Sequence, residues 1–265
     1  METDHGTSPA NGQTEVIQAK TVDPQPSFAG EGWDADRRMR LVEVLLVMTI
    51  AFGGSLINSS YYFLYDITES PVRGPDEAKW DWWIRLVREL SMLWLLWYVL
   101  LRRGRTISSL GVTRKASDIA QAVVLVVLAW VAYYTYFYLL SLAGLAPADP
   151  RGTLTRAENI LFGAGVSYIT IVFALVNPFF EELIVRGFLM TEIKALTRSA
   201  VLAVVISTAL QTSYHFYQGA QLAMGHAVTF LVFSVFYART NRLTPVILAH
   251  MFMDVSGVLH YMHRH

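Results

Sequence analysis

The sequence predicts an all-α membrane protein, a polytopic bundle of about seven transmembrane helices around a polar intramembrane cavity. Of its 265 residues, 54% are hydrophobic and only 16% are charged, whereas soluble domains average about 25% charged residues. The charges lie in short clusters between apolar runs that are close to the roughly 20 residues needed to cross a bilayer. Ionisable side chains also interrupt three of these runs, and charges inside a membrane normally face a cavity or each other.

Composition excludes several classes of function. Lys and Arg together number 21 and so do Asp and Glu, so no overall basic field attracts nucleic acid, and we expect no nucleic-acid partner. The chain contains no cysteine, which excludes disulfides, thiolate metal sites and a cysteine nucleophile. Any catalysis must therefore rest on carboxylates, imidazoles or hydroxyls.

Seven apolar runs are long enough to be spans. They are 41–65, 82–101, 118–145, 159–192, 199–216, 220–238 and 244–262. The fourth is too long for one straight crossing and contains Asn177-Pro178. Pro178 has no N–H to donate to the carbonyl of Ala174, so a kink or a break is predicted there.

The runs divide the chain into three parts. Residues 1–38 are polar and rich in Gly, Pro, Ser and Thr, which predicts a disordered cytoplasmic tail. Residues 39–156 hold the N-terminal transmembrane helices and a basic cytoplasmic loop at 102–117. Residues 157–265 form a transmembrane core that contains the candidate catalytic side chains.

The Lys and Arg residues predict the orientation of the bundle. If the N-terminus is cytoplasmic, the inner segments hold twelve of these residues and the outer segments five, which follows the positive-inside rule. We therefore expect a multi-pass integral protein of a bacterial cell membrane, in contact with membrane lipid. Its N-terminus would be cytoplasmic and its C-terminus outside.

The first candidate group lies in the fourth run. Glu182 and Arg186 are four residues apart, so they share a helix face and can pair. Glu181 points about 100° away from Glu182 and is left with a weaker partner. A buried carboxyl of this kind can serve as a general base near neutral pH.

Two further groups contain histidine. His215 lies among polar and aromatic residues late in the fifth run, and His250 and Asp254 share one face of the seventh. His226, in the sixth run, is better explained by a hydrogen bond between helices. Side chains from three spans can converge only in a shared polar cavity. Such a cavity is either a metal site, since carboxylate and imidazole suit several divalent ions, or a metal-free acid–base site acting on water.

These residues, taken in order, resemble the motifs of a known family. Glu-Glu-x-x-x-Arg at 181–186, then His215, then His-x-x-x-Asp at 250–254 are similar to those of the CPBP family. This is the intramembrane glutamic endopeptidase group that includes the type II CaaX prenyl proteases and the bacterial Abi proteins. The resemblance covers about 160–260. It implies a peptide or protein substrate, prenylated in the eukaryotic branch, hydrolysed without a covalent intermediate, a cofactor or a metal.

The resemblance also implies a role for each site residue. Glu181 and His215 would activate the attacking water. His250 and Asp254 would stabilise the oxyanion of the tetrahedral intermediate. The Glu182–Arg186 pair would hold these site residues in position.

Two residues depart from the family pattern. The family commonly has an aromatic residue where this chain has Gln211, and it often has Asn where this chain has Asp254. Because an ionised Asp cannot donate a hydrogen bond, we expect Asp254 to orient and charge His250. A straight fifth helix would also carry His215 well toward the outer side, at about 1.5 Å per residue, away from Glu181 and His250.

Two other functions fit the same residues. One is a metal-dependent membrane protease that uses them as ligands and base. The other is a non-catalytic membrane scaffold or immunity protein, which would retain the polar cluster for structure alone.

Overall fold

A computed structural model of the chain describes residues 1, 29–65, 75–146, 158, 161–162 and 165–264. Its regular structure in these ranges is entirely helical, which confirms the all-α class. Seven helices follow the order of the predicted runs. They are α1 (Ala29–Leu64), α2 (Pro75–Arg102), α3 (Ala116–Leu142), α4 (Tyr168–Thr197), α5 (Ala200–Ser213), α6 (Ala220–Thr240) and α7 (Thr244–Arg264).

Four of the seven helices are long and apolar enough to cross a bilayer on these criteria alone. They are α3, α4, α6 and the part of α1 from Asp36 to Leu64. Helix α5 is apolar but has only 14 residues. The chain is therefore an integral membrane protein whose shorter or more polar helices pack among the long ones.

Helix α1 corrects one predicted boundary. It begins at Ala29, inside the range 1–38 predicted as a disordered tail, while residues 2–28 lie outside the described residues. The guanidinium of Arg40 lies 2.8 Å from the Asp36 carboxylate one turn earlier and 3.4 Å from Glu192 on α4. The pair with Asp36 is a local i,i+4 contact, whereas the pair with Glu192 anchors α1 to α4 and is not predictable from the local sequence.

Pro178 does not break α4, contrary to one of the two predicted outcomes. The helix continues through it, and the next residues, Glu182–Met190, form a π-helix. A proline inside a helix costs about 3 kcal/mol. Every residue from 180 to 190 is buried, so packing from all sides holds the backbone in one continuous helix.

Helix α4 lies at the centre of the bundle. In its most apolar window 56% of the residues are buried, against 17% for α3, whose exposed apolar side chains are suited to lipid. One apolar cluster joins α4 to α1, α2 and α5, and a second joins α3, α6 and α7. The polar residues of α4 lie where these two clusters meet.

Ion pairs tie several helices together at one end of the bundle. Glu192, which is fully buried, lies 2.6 Å from Arg103, 3.0 Å from Arg105 and 3.4 Å from Arg40. Arg103 also pairs with Glu43. The start of α1 and the ends of α2 and α4 therefore share one side of the bundle, as alternating crossings require.

The predicted basic loop between α2 and α3 is ordered and docks on the turn between α6 and α7. The Leu243 N–H donates to the Gly111 carbonyl at 2.8 Å, and Thr244 exchanges two 2.8 Å hydrogen bonds with the Thr113 backbone. Gly111 has φ +86°, and a Cβ there would lie 2.0 Å from the carbonyl oxygen of Asn241. Only glycine fits this contact.

We expect Gly111→Ala to destabilise the protein. The left-handed conformation costs a side chain about 1–2 kcal/mol, and the clash with the Asn241 backbone adds to it. Gly104→Ala is the matched control, because Gly104 also has positive φ (+63°) but has no atom within 4 Å of the place that a Cβ would take. Thermal unfolding in detergent would measure both, and equal losses would contradict the close approach at Gly111.

Candidate active site

The site is built around one turn of α4. Glu181 is the last α-helical residue before the π-helical section, and Glu182 is the first residue within that section. π-helical turns are rare and frequently occur at functional sites. Two consecutive carboxylates are thereby held inside the bundle, where each must find its own polar partner.

Glu182 lies in a fully buried ion pair. Nη1 of Arg186 is 2.7 Å from both oxygens of the Glu182 carboxylate, and neither side chain is exposed. The pairing predicted from their spacing is confirmed. The Arg186 guanidinium also donates to the Phe230 carbonyl at 3.3 Å and lies 5.8 and 5.6 Å from the ring centroids of Phe230 and Phe233. Helix α6 thus supplies both an acceptor and aromatic faces for the buried cation.

His250 reaches the same carboxylate from α7. Its Nδ1 is 2.7 Å from Oε1 of Glu182, and its Nε2 is 3.5 Å from Oδ1 of Asp254. The side chain of Asp254 is 29% exposed and accepts a hydrogen bond of 3.2 Å from Asn177. His250 therefore stands between two carboxylates, of which Glu182 is the nearer.

Gln211 connects the other two candidate residues. Its side-chain amide donates to Oε2 of Glu181 at 2.7 Å. Its backbone carbonyl lies 2.7 Å from Nδ1 of His215. Because a carbonyl only accepts, Nδ1 of His215 is the protonated nitrogen, and Nε2 of the neutral ring carries the free lone pair.

The predicted conflict in the depth of His215 does not arise. Helix α5 ends at Ser213, and His215 lies in the turn that follows, before the short 3₁₀ helix Phe216–Gln218. Its ring folds back to the Gln211 carbonyl one turn earlier and packs 4.9 Å from the ring of Phe230. Helix α4 ends at Thr197 and α5 begins at Ala200, so Glu181 and His215 are about equally far along the chain from the turn between the two helices. The hydrogen bond from Gln211 to Glu181 joins the helices at that level.

The residues of the three sequence motifs form two networks on either side of the bond between Glu181 and Glu182. One joins Glu181, Gln211 and His215, and the other joins Arg186, Glu182, His250 and Asp254. The structure thus brings together all six residues predicted for the site. His226 lies outside both, with its Nε2 3.0 Å from the Gln218 side chain, which agrees with the hydrogen bond expected for it.

Two polar residues of the site do not stand out in the sequence as site residues. Gln211 is visible there only as a departure from the family pattern, and Asn177 only as the residue before a proline. Both lie four residues before a candidate residue, His215 and Glu181 respectively. A polar side chain one helical turn from a catalytic candidate inside an apolar run is the signal that identifies them.

Within the described ranges, no three His, Asp or Glu side chains are arranged to hold a metal ion. Glu182 is already occupied by Arg186 and His250, and Glu181 by the Gln211 amide. The geometry is that of hydrogen-bonded acid–base groups.

A comparison with known protein families finds a match over the part of the chain that contains the site. Residues 163–256 match the family described as type II CAAX prenyl endopeptidase Rce1-like. The matched segment contains every site residue named above. The match, which covers about a third of the chain, is to the same group of type II CAAX prenyl endopeptidases that the motifs resemble. No curated protein and no solved structure matches the chain.

We expect Arg186→Met to be strongly destabilising, because it leaves the Glu182 carboxylate buried without its cation. Removing one partner of a buried pair costs about 3–5 kcal/mol. Arg264→Met is the control, because the Arg264 guanidinium, 3.3 Å from Glu158, is itself partly exposed, and we expect the loss of a pair that water can reach to cost less than the loss of a fully buried one. Thermal unfolding in detergent would compare them. A variant at 186 that is as stable as the control would contradict the structural role of the pair.

Proposed function

We propose that this chain, whose residues 163–256 match the Rce1-like family, is an intramembrane endopeptidase that hydrolyses a peptide bond with a water activated by Glu181 and His215. No covalent intermediate forms. The substrate is a membrane-associated peptide or protein, including prenylated chains with a CAAX end. The enzyme is thus a glutamic peptidase embedded in the bilayer.

The observation that carries the proposal is the contact of Gln211 with both activating residues. A single residue donates to Glu181 through its side chain and accepts from His215 through its backbone, each at 2.7 Å. Gln211 thereby links the Glu181 carboxylate to the imidazole of His215, whose Nε2 keeps its lone pair. Two acceptors around one water are what general-base activation requires.

The first step of the proposed reaction transfers one proton. The water oxygen attacks the carbonyl carbon of the peptide as its proton passes to Glu181, and His215 Nε2 accepts the water's second O–H in a hydrogen bond. Gln211 uses only part of the acceptor capacity of the Glu181 carboxylate, so the carboxylate can still take this proton. The product is a tetrahedral intermediate with an oxyanion.

His250 is the group proposed to stabilise that oxyanion. Its Nδ1 is engaged by Glu182, but the 3.5 Å separation of Nε2 from Asp254 is longer than a strong hydrogen bond. A protonated Nε2 can therefore turn toward the developing charge, and the two flanking carboxylates balance the imidazolium. When the C–N bond breaks, the leaving nitrogen takes the proton held by Glu181, and the site is restored.

The N-terminus is proposed to be cytoplasmic. The ion pairs around Glu192 gather the basic ends of α1, α2 and α4 on one side, and the positive-inside rule assigns that side to the cytoplasm. We also propose that residues 39–156 hold the N-terminal transmembrane helices, that residues 157–265 form the catalytic core, and that the protein lies in a bacterial cell membrane.

We expect Glu181→Gln to lower kcat by at least about 10²-fold, since general-base catalysis contributes about 10²–10⁴-fold. Purified wild type and variant would be incubated with a pool of prenylated and unprenylated peptides, with the products identified by mass spectrometry. Glu158→Gln is the matched control, a carboxylate paired with Arg264 outside the site. If Glu181→Gln turned substrate over normally, this mechanism would be wrong. If neither protein cleaved any peptide, a non-catalytic scaffold would become the better account.

Strong chelators should leave the activity within about twofold of the untreated enzyme, because the proposed base is a carboxylate and its water needs no metal. EDTA and phenanthroline would be tested on the peptide that the wild type cleaves. A loss of activity restored by a divalent ion would instead support the metal-dependent protease.

A tag at residue 1 should be inaccessible to an added protease in intact cells, and a tag after residue 265 should be accessible. Permeabilised cells, in which both tags are cut, are the control. External cleavage at residue 1 alone would reverse the proposed orientation.

A further inference from the structure

The turn that carries His215 contains a backbone N–H group whose acceptor lies outside the turn. The first N–H groups of any helix have no partner within that helix. In the 3₁₀ helix Phe216–Gln218, the N–H of Gln218 donates to the His215 carbonyl at 3.0 Å, whereas the N–H of Tyr217 donates to a side chain from another helix. The position of the turn therefore depends on that helix.

Ser59 on α1 supplies the acceptor. Its Oγ accepts from the Tyr217 N–H at 3.0 Å, and the serine is fully buried. Ser59 lies in the part of α1 that is long and apolar enough to cross a bilayer, where no water replaces a lost partner. Because an unpaired buried N–H is costly, this hydroxyl fixes where the turn meets α1.

Two aromatic rings of α1 contact the same turn. Phe52 stacks on Tyr214, with 4.8 Å between the ring centroids and 6° between the ring planes, and Phe63 packs 5.2 Å from Phe216. Phe52, Ser59 and Phe63 follow one another at spacings of seven and four residues, which places them on one helix face. That face of α1 thus meets the turn at three points.

Phe52 also reaches the segment that carries Glu181. Its ring is buried and lies 5.3 Å from the ring of Phe180. Phe180 directly precedes Glu181, and Tyr214 directly precedes His215. Helix α1 therefore packs against the neighbours of both activating residues, although it lies outside 163–256, the segment that matches the family.

We propose that Ser59 is a positioning residue for His215. By holding the Tyr217 N–H, it fixes the turn so that Nδ1 of His215 stays on the Gln211 carbonyl and Nε2 stays available to the water. Ser59 does not touch the substrate. The inference rests on the proposed function, in which His215 helps to activate water, and it gives α1 a part in catalysis.

Steady-state kinetics test this role with two serine variants. Ser59→Ala removes only the Oγ atom and leaves the Tyr217 N–H buried without its acceptor. Ser60→Ala is the matched control, because Ser60 is the next residue of the same helix and is exposed. Both are assayed with the peptide that the wild type cleaves, and rates are expressed per mole of folded enzyme.

We expect Ser59→Ala to lower kcat about tenfold and to leave KM within about twofold, because a displaced His215 weakens activation of the water more than binding of the peptide. Ser60→Ala should stay within about twofold of the wild type in both constants. A purely structural role for Ser59 would reduce the yield of folded protein but not its kcat. Equal kcat values for the two variants would therefore overturn the proposal.

A double-mutant cycle tests whether Ser59 acts through His215. Once His215→Ala has removed the imidazole, adding Ser59→Ala should lower kcat by no more than about twofold further, because residues that act together are not additive. A further tenfold loss would show that Ser59 acts by another route and would refute its positioning role.

Hydrogen exchange followed by mass spectrometry tests the contact without any substrate. In purified protein the amide of Tyr217 should exchange at least about tenfold faster in Ser59→Ala than in the wild type, and at the wild-type rate in Ser60→Ala. Unchanged exchange in Ser59→Ala would contradict the inference whatever the enzyme cleaves. Faster exchange together with full activity of Glu181→Gln would leave the contact in place but remove its catalytic meaning, and the fault would then lie in the proposed function.

Discussion

The bundle is organised around the fully buried pair of Glu182 and Arg186. Two charges taken out of water need hydrogen bonds on every side, because an unpaired buried ion is far more costly than a lost surface pair. Helix α6 supplies the Phe230 carbonyl and two aromatic faces, and α7 supplies His250. The pair therefore requires α4 to lie in the centre, with neighbours packed around all of its polar turn.

The two consecutive glutamates, Glu181 and Glu182, have different hydrogen-bond partners. Residues one apart on a helix point about 100° away from each other, so Glu182 faces α6 and α7 while Glu181 meets Gln211 on α5. The Glu182 carboxylate is engaged by Arg186 and His250. The Glu181 carboxylate retains acceptor capacity and is linked through Gln211 to His215, which is why Glu181 is the carboxylate proposed to accept a proton from water.

The two residues that depart from the family pattern, Gln211 and Asp254, each make a hydrogen bond in this site. An aromatic residue at 211 has no amide to donate to Glu181, whereas Gln211 donates at 2.7 Å. An Asp at 254 has only acceptors when ionised, and Asn177 on α4 supplies a donor to it at 3.2 Å. Each departure thus adds a hydrogen bond between helices, and each is explained only by a residue from another part of the chain.

The sequence alone predicts the helical membrane class and the order of the seven helices, because the lengths of apolar runs are local properties. It also predicts the Glu182–Arg186 pair and the candidate side chains, because four-residue spacings are local too. How these parts meet is a property of the packed bundle. Helix α4 continues through Pro178, the His215 ring folds back to the Gln211 carbonyl, and Gln211 reaches Glu181. Glu89 on α2 is also buried, and the sequence gives no sign of this, because one Glu among the charged residues of α2 looks like an exposed residue. The rotation and depth of a helix are set by what packs against it, and no local pattern contains that information.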